Sequence, residues 1–230
     1  MQLETKILMR LPLPTSMHTL IPETIESYCE SHTTNESELL YRLNRETHIK
    51  VLRPRMLSGQ LQGAFLSMIS KMIQPENILE IGSYTGYSAL CLAEGLQEHG
   101  SLHTIEIDEE LEDIITKYFN LSAHKNKLHL HIGNAIEIIP TLKKTWDLVF
   151  LDAEKKEYLQ YYEMVLPYVK KGGFILADNV LWSGKVTEQV VENDAETQAV
   201  ICFNDFVHHD PRVAHVMLPM RDGLLLIEKL

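Results

Sequence analysis

The sequence predicts an α/β fold built on a mostly parallel sheet, from three observations. Short apolar runs alternate with segments whose apolar residues recur at helical spacing, a glycine-bearing turn follows the first run, and the last two runs are joined too closely for a crossover. Parallel neighbours need a crossover, usually a helix, so the alternation means βαβ units. The close join makes the final pair antiparallel.

The elements can be justified in order. Pro12, Pro14 and Pro22 punctuate the first quarter, Pro22 suits a first helical turn, and a polar segment at 30–38 separates two short helical patterns. Two or three small helices are expected there, ended by Pro54, so residues 1–56 read as a helical cap on a domain formed by 57–230. After Leu57, the residues Leu61, Ala64, Phe65, Met68, Ile69 and Met72 recur at helical spacing and stop before Pro75, predicting an amphipathic helix that feeds the first strand. Strands are expected at 78–81, 102–107, 128–132, 148–151 and 174–177, with helices near 88–98, 109–121, 136–142 and 158–169. A helix at 194–207 leads to a strand at 213–219, a turn at Arg221, Asp222 and Gly223, and a strand at 224–230.

Composition bounds the function. The 230 residues carry 21 Lys and Arg against 32 Asp and Glu, a formal charge of −11, which argues against a protein whose main task is gripping phosphate backbones. A local basic site stays open, because Arg42, Arg45, Lys50, Arg53 and Arg55 cluster with only Glu46 opposing. With 45% hydrophobic and 23% charged residues, the chain reads as one soluble globular domain. Cys29, Cys91 and Cys202 are odd in number and scattered, so no disulfide framework is expected. The 6–11 stretch meets Pro12 too early for a secretory segment, and no window offers the roughly 20 apolar residues of a membrane span. A reduced, cytoplasmic protein with no membrane partner is expected.

In an open α/β sheet, ligands sit beyond the carboxyl ends of the strands. After the first strand comes EIGSYTGYS, 80–88, a turn of the kind that lays a nucleotide-like ligand against backbone N–H groups, or a plain turn. Tyr84 occupies the middle-glycine position of the dinucleotide pattern, which disfavours a pyrophosphate and suits a nucleoside without phosphate. Glu106 follows the second strand, 20 residues past Gly86, where an acidic residue accepts from ribose hydroxyls. Asp152 follows the fourth strand, and Asp178 and Asn179 the fifth. Two carboxylates and an amide oxygen on strands expected to be neighbours form a hard oxygen set, suited to Mg²⁺ or a similar divalent cation. Singly, each is as readily a turn residue. Lys155 lies near a helix start, where a cation opposes the macrodipole, and a nearby metal would help it accept a proton. His129 and His131 share a strand face without a third ligand at suitable spacing and read as outward-facing; His208 and His209 read as a helix end. Trp182 either walls a planar substrate or packs.

Taken together, EIGSYTGYS, IEID, GNA at 133–135, FLDAEKKEY, LADNVLWSG and LPMRDGLLLI resemble the cation-dependent O-methyltransferases that use S-adenosylmethionine, typified by caffeoyl-coenzyme A O-methyltransferase and, more distantly, catechol O-methyltransferase. The resemblance covers residues from about 50 to 230. It implies a Rossmann-like class I methyltransferase: a seven-stranded, mostly parallel sheet with an antiparallel C-terminal strand and helices on both faces. It implies that Glu80, Gly82, Ser83, Tyr84 and Ser88 hold the methionine part of the cofactor, Glu106 its ribose and Ala135 its adenine side, with Ser58 and Asp152 as further contacts. Glu154 stands where plant-type relatives have Asp, a longer reach at that contact. Asp152, Asp178 and Asn179 would bind the metal, Mg²⁺ with Mn²⁺ or Ca²⁺ as alternatives, and Lys155 would receive or direct the proton. The implied substrate is a small aromatic with adjacent hydroxyls, and the implied assembly a homodimer. A modified tRNA nucleoside is the alternative acceptor, and the basic 42–55 stretch would then meet phosphates, or else the anionic tail of a coenzyme A ester. A nicotinamide-dependent oxidoreductase is disfavoured by Tyr84, and a non-catalytic S-adenosylmethionine-binding protein by the Asp152, Asp178, Asn179 set.

Overall fold

The computed structural model describes residues 20–189 and 193–230; Pro12, Pro14 and the 6–11 stretch lie outside these. The chain begins with α1 (Glu23–Ser31) and α2 (Glu38–Lys50), the latter opened by Ser37, whose hydroxyl accepts from the Leu40 N–H. A short 3₁₀ turn at Pro54–Met56 follows, then α3 (Gly59–Ile73) and β1 (Asn77–Ile81). The alternation continues with α4 (Tyr87–Ala93), β2 (Ser101–Glu106), α5 (Glu112–Leu121), β3 (Leu128–Ile132), α6 (Ala135–Leu142) and β4 (Trp146–Leu151). It closes with α7 (Tyr158–Val165), β5 (Val169–Asp178), α8 (Ala195–His209), β6 (Val213–Leu218) and β7 (Leu224–Lys229).

The seven strands form one sheet in the order β3-β2-β1-β4-β5-β7-β6. The first five pair in parallel, while β7 runs antiparallel to both β5 and β6, as the sequence predicts for the last strand. Both faces are apolar, which a parallel sheet covered on two sides requires. Ile78, Leu148, Phe150 and Leu176 meet α2, α3, α4 and α5 through Leu43, Leu66, Leu90 and Ile115. On the opposite face Leu79, Ile81, Val149 and Ile175 meet α6, α7 and α8 through Ile139, Tyr162 and Phe203. Cys29, Cys91 and Cys202 are free thiols, and no described helix is long and apolar enough to cross a membrane.

Several boundaries differ from the expected ones, each for a local reason. The helix expected to 98 ends at Ala93, because Gly95 lies against Ser70, where a Cβ would come within 2.1 Å of the Ser70 carbonyl carbon. The Ser70 hydroxyl donates to the Leu92 carbonyl at 2.5 Å and satisfies one of the helix's last acceptors. The helix expected to 169 stops at Val165, before a 3₁₀ turn holding Pro167, and β5 begins at Val169, which pairs with Trp146. α3 is turned relative to its apolar periodicity: Met68 and Met72 are 65% and 80% exposed, and the buried face carries Gln62, Gly63, Leu66, Ser67 and Ser70. Close approach to α4 is the cause, since a Cβ on Gly63 would lie 2.7 Å from the Tyr87 ring and 2.9 Å from the Cys91 sulfur. His129 is exposed as expected, but His131 is half-buried and both histidines stack on His103 of β2.

Candidate active site

The loops after β1, β2, β4 and β5 all open at the carboxyl edge of the sheet, and the structure brings most of the sequence-predicted residues together there. Gly82 adopts φ 94, and a Cβ on it would fall 1.9 Å from the Asp152 carbonyl oxygen, so only glycine lets the loops after β1 and β4 touch. Backbone bonds tie the Gly82 turn to β2 and the loop after β4 to β1: the Gly82 N–H donates to the Ile105 carbonyl and the Asp152 N–H to that of Ile81. Tyr84, also left-handed at φ 51, donates its N–H to Glu106 Oε2 at 2.6 Å, and Asp108 donates its N–H to Oε1 at 3.0 Å. Burial raises the Glu106 carboxyl above its usual range, opposed by these N–H groups. A carboxylate accepts about four hydrogen bonds, so acceptor capacity stays available for hydroxyls.

Glu80 is fully buried at the end of β1, and Ser83 and Ser88 are buried beside it. Glu80 Oε1 and the Ser83 hydroxyl have no hydrogen-bond partner among the described residues. Buried polar atoms are normally paired, so two orphans three residues apart leave room for a ligand to supply the partner. Ser58 is buried ahead of α3, and Ala135 is buried at the first turn of α6 behind the Asn134 cap. Glu154 is exposed at the start of a 3₁₀ turn.

On the other side of that edge stand Asp152, Lys155, Asp178 and Asn179. β4 and β5 are neighbours, as expected, which places the loops that carry them side by side. Lys155 is buried, with its Nζ 3.2 Å from Asp152 Oδ1, 2.5 Å from the Tyr158 hydroxyl and 6.0 Å from the centre of the Trp182 ring. Tyr158 passes the connection on, donating toward the Leu151 and Asp178 carbonyls at 3.1 and 3.0 Å. Trp182 therefore borders the site. Asp178 is buried, its Oδ2 accepting from Gln62 Nε2 at 2.7 Å and its Oδ1 from the Asn179 N–H at 2.9 Å. Burial, reinforced by the charge of Asp152, pushes its carboxyl up to about 6, against the pull of Gln62, Lys155 and Arg221. Asn179 sits at φ 57, a left-handed position that asparagine tolerates. Two carboxylates close enough to repel, one of them sealed from water, fit a divalent cation that would relieve both penalties.

Four contributors escaped the sequence reading. Gln62, Tyr158, Arg221 and Asp222 enter through contacts: Arg221 Nη1 donates to Gln62 Oε1 at 2.8 Å, and Asp222 accepts the Ser183 N–H in the loop that carries Trp182. A polar residue on the inward face of a helix was the one available signal for Gln62. The site is a shelf of loops at the sheet's carboxyl edge; an open concavity of about 810 Å³ along α8, lined by Cys202, Phe206 and Arg212 among others, includes none of its residues.

The chain is similar to known proteins over most of its length. A family model described as O-methyltransferase matches residues 30–230. Caffeoyl-CoA O-methyltransferase 5 of Nicotiana tabacum is 33% identical over 189 residues, covering 76% of this chain and 78% of its own. Among solved structures, the SAH-bound Podospora anserina methyltransferase PaMTH1 matches with TM-score 0.83 at 26% identity over 96% of this chain and 98% of that one. The O-methyltransferase TomG from Streptomyces achromogenes, in complex with SAM, matches with TM-score 0.82 at 26% identity over 90% and 96%. Fold and sequence agree: the chain belongs to the O-methyltransferase family.

Proposed function

We propose that the protein transfers the methyl group of S-adenosylmethionine to a hydroxyl of a small aromatic vicinal diol, of catechol or caffeoyl type. The observation that carries the reading is the meeting of two half-sites on one sheet edge: the Gly82 turn with its orphaned Glu80 and Ser83 atoms, and the Asp152, Lys155, Asp178 group. In this reading Glu80, Ser83 and Ser88 hold the amino-acid end of the cofactor, Glu106 accepts from its ribose, and the start of α6 at Ala135 borders its adenine.

Asp152, Asp178 and Asn179 would hold the divalent cation, Mg²⁺ by the hardness of the oxygen set. Bound there, the cation would acidify and orient a chelating pair of hydroxyls. The chain's own residues do the rest. Lys155 Nζ, fixed between Asp152 and Tyr158, receives the hydroxyl proton once it has given up one of its own, or as the ammonium directs that proton by hydrogen bonding, as the methyl leaves sulfur for oxygen. Trp182 flanks the place a planar ring would occupy. Alignment of this kind is worth up to about 7 to 11 kcal/mol of barrier.

The test is methyl transfer to a panel of catechols and coenzyme A esters, with and without EDTA, alongside calorimetric binding of S-adenosylmethionine. Chelation, and Asp178→Ala, are expected to abolish transfer and leave cofactor binding within a few-fold. Full activity in the chelated enzyme would remove the metal, and absence of cofactor binding would remove the whole reading.

A further inference from the structure

Gln62 is 1% exposed, on a helix face otherwise made of small and apolar side chains. Its amide is used at both ends. Nε2 donates to Asp178 Oδ2 at 2.7 Å, and Oε1 accepts from Arg221 Nη1 at 2.8 Å. A guanidinium can only donate, so Arg221 dictates which end of the amide faces it and thereby turns the NH₂ toward Asp178. Arg221 is anchored in turn: it stands at φ 49 in the β6–β7 turn, and its Nη1 also lies against the Leu57 and Ser58 carbonyls ahead of α3, which share its second hydrogen. The three side chains come from α3, the end of β5 and the β6–β7 turn, with Asp178 116 positions and Arg221 159 positions along the chain from Gln62.

We infer that Arg221 and Gln62 form a positioning relay for Asp178, an inference that rests on the proposed role of Asp178 as a metal ligand. The relay leaves the carboxylate oriented before a cation arrives, one bond on Oδ2 from Gln62 and one on Oδ1 from the Asn179 N–H, with the remaining lone pairs available. The neutral amide in the middle has a purpose. A guanidinium placed directly on Asp178 would neutralise the ligand and compete with the cation, whereas an amide passes on direction without delivering a full positive charge. Neither residue touches the reacting atoms.

The experiment uses the full chain and Mn²⁺ as the probe, with free ion followed by electron paramagnetic resonance. Gln62→Met keeps the volume and removes the donor; Arg221→Met removes the residue that sets the amide's sense. Each is expected to weaken Mn²⁺ binding by about 10- to 100-fold. The double variant is expected to be no weaker than Gln62→Met alone, because Arg221 acts through Gln62. Gln62→Met is expected to keep its affinity for S-adenosylmethionine within about threefold, a control that separates positioning from general damage. If Gln62→Met does not fold, Gln62→Asn, which withdraws the donor from Asp178, takes its place in the same cycle. Unchanged Mn²⁺ affinity in the folded Gln62 variant, or losses that add in the double variant, overturn the relay. An unaltered protein that binds no Mn²⁺ overturns the metal reading itself, and the relay with it.

Discussion

Glu80, the last residue but one of β1, has a carboxyl sealed from water, one oxygen accepting from the Thr104 hydroxyl at 2.5 Å and the other unpartnered among the described residues. Burial, with the charges of Asp152 and Glu106 adding to it, pushes this group from 4.5 up to about 8, against the pull of the Ser88 and Thr104 hydroxyls. A raised folded-state value means that its contribution to stability is complete below pH 4.5 and is lost as the pH rises through 8. At pH 7 the group is mostly protonated, and the ammonium of a bound S-adenosylmethionine would draw it to the carboxylate. Binding at pH 7 is therefore expected to release a proton, so that the calorimetric enthalpy changes with the buffer's ionisation enthalpy, and Glu80→Gln is expected to remove that dependence. Equal enthalpies in phosphate and Tris for the unaltered protein would refute the assignment. Glu106, Asp152 and Asp178 were legible as candidates because a strand's carboxyl end locates them, whereas Glu80 was marked only by the family resemblance. Gln62 and Arg221 were not, since each is defined by a partner more than a hundred residues away.

β2 and β3 carry a histidine cluster that no single strand reveals. His103 Nδ1 lies 3.0 Å from His131 Nε2, the His103 ring stacks on His129 with centres 4.6 Å apart, and Trp146 meets it edge-on. Two facing ring nitrogens share one proton, and a second forces them apart. Burial, with the charges of His129, Lys144 and His131 adding to it, pushes His103 down to about 3, and burial lowers His129 and His131 as well. With the folded value depressed, the unfolded chain binds more protons below pH 6.5, so this stability is present above 6.5 and lost as the pH falls toward 3. Urea midpoints are expected to drop from pH 7 to pH 5, and His103→Phe is expected to shrink the drop; an equal drop in both would count against the cluster. Element order was readable from period alone, because β and α patterns differ. Element ends and faces were not: Met68 and Met72 mark the outside of α3, since its opposite face nears α4 at Gly63, where a Cβ would meet Tyr87 and Cys91.

At the scale of the molecule, a charge of −11 surrounds one basic segment, and the structure narrows that segment. Glu46 takes Lys50 at 2.8 Å and Lys117 at 2.5 Å, and Lys117, followed by Lys50 and Tyr118, draws its carboxyl down to about 2. What the sequence offers as one opposing acid thus engages cations from two helices. Transfer RNA is expected to give no gel shift at 150 mM salt; a shift that fades as salt rises would favour a nucleic-acid acceptor bound through Arg42, Arg45 and Arg53. The strand order itself carries a last consequence. β7, the strand synthesised last of the seven, lies inside the sheet between β5 and β6. While the ribosome is still reading the codons that precede Lys229, β5 presents a bare ladder of N–H and C=O groups, and β6 has nothing to pair with. The nascent chain can settle its first strands early, but it must leave that gap open until β7 has emerged, and shelter it from other edges in the meantime.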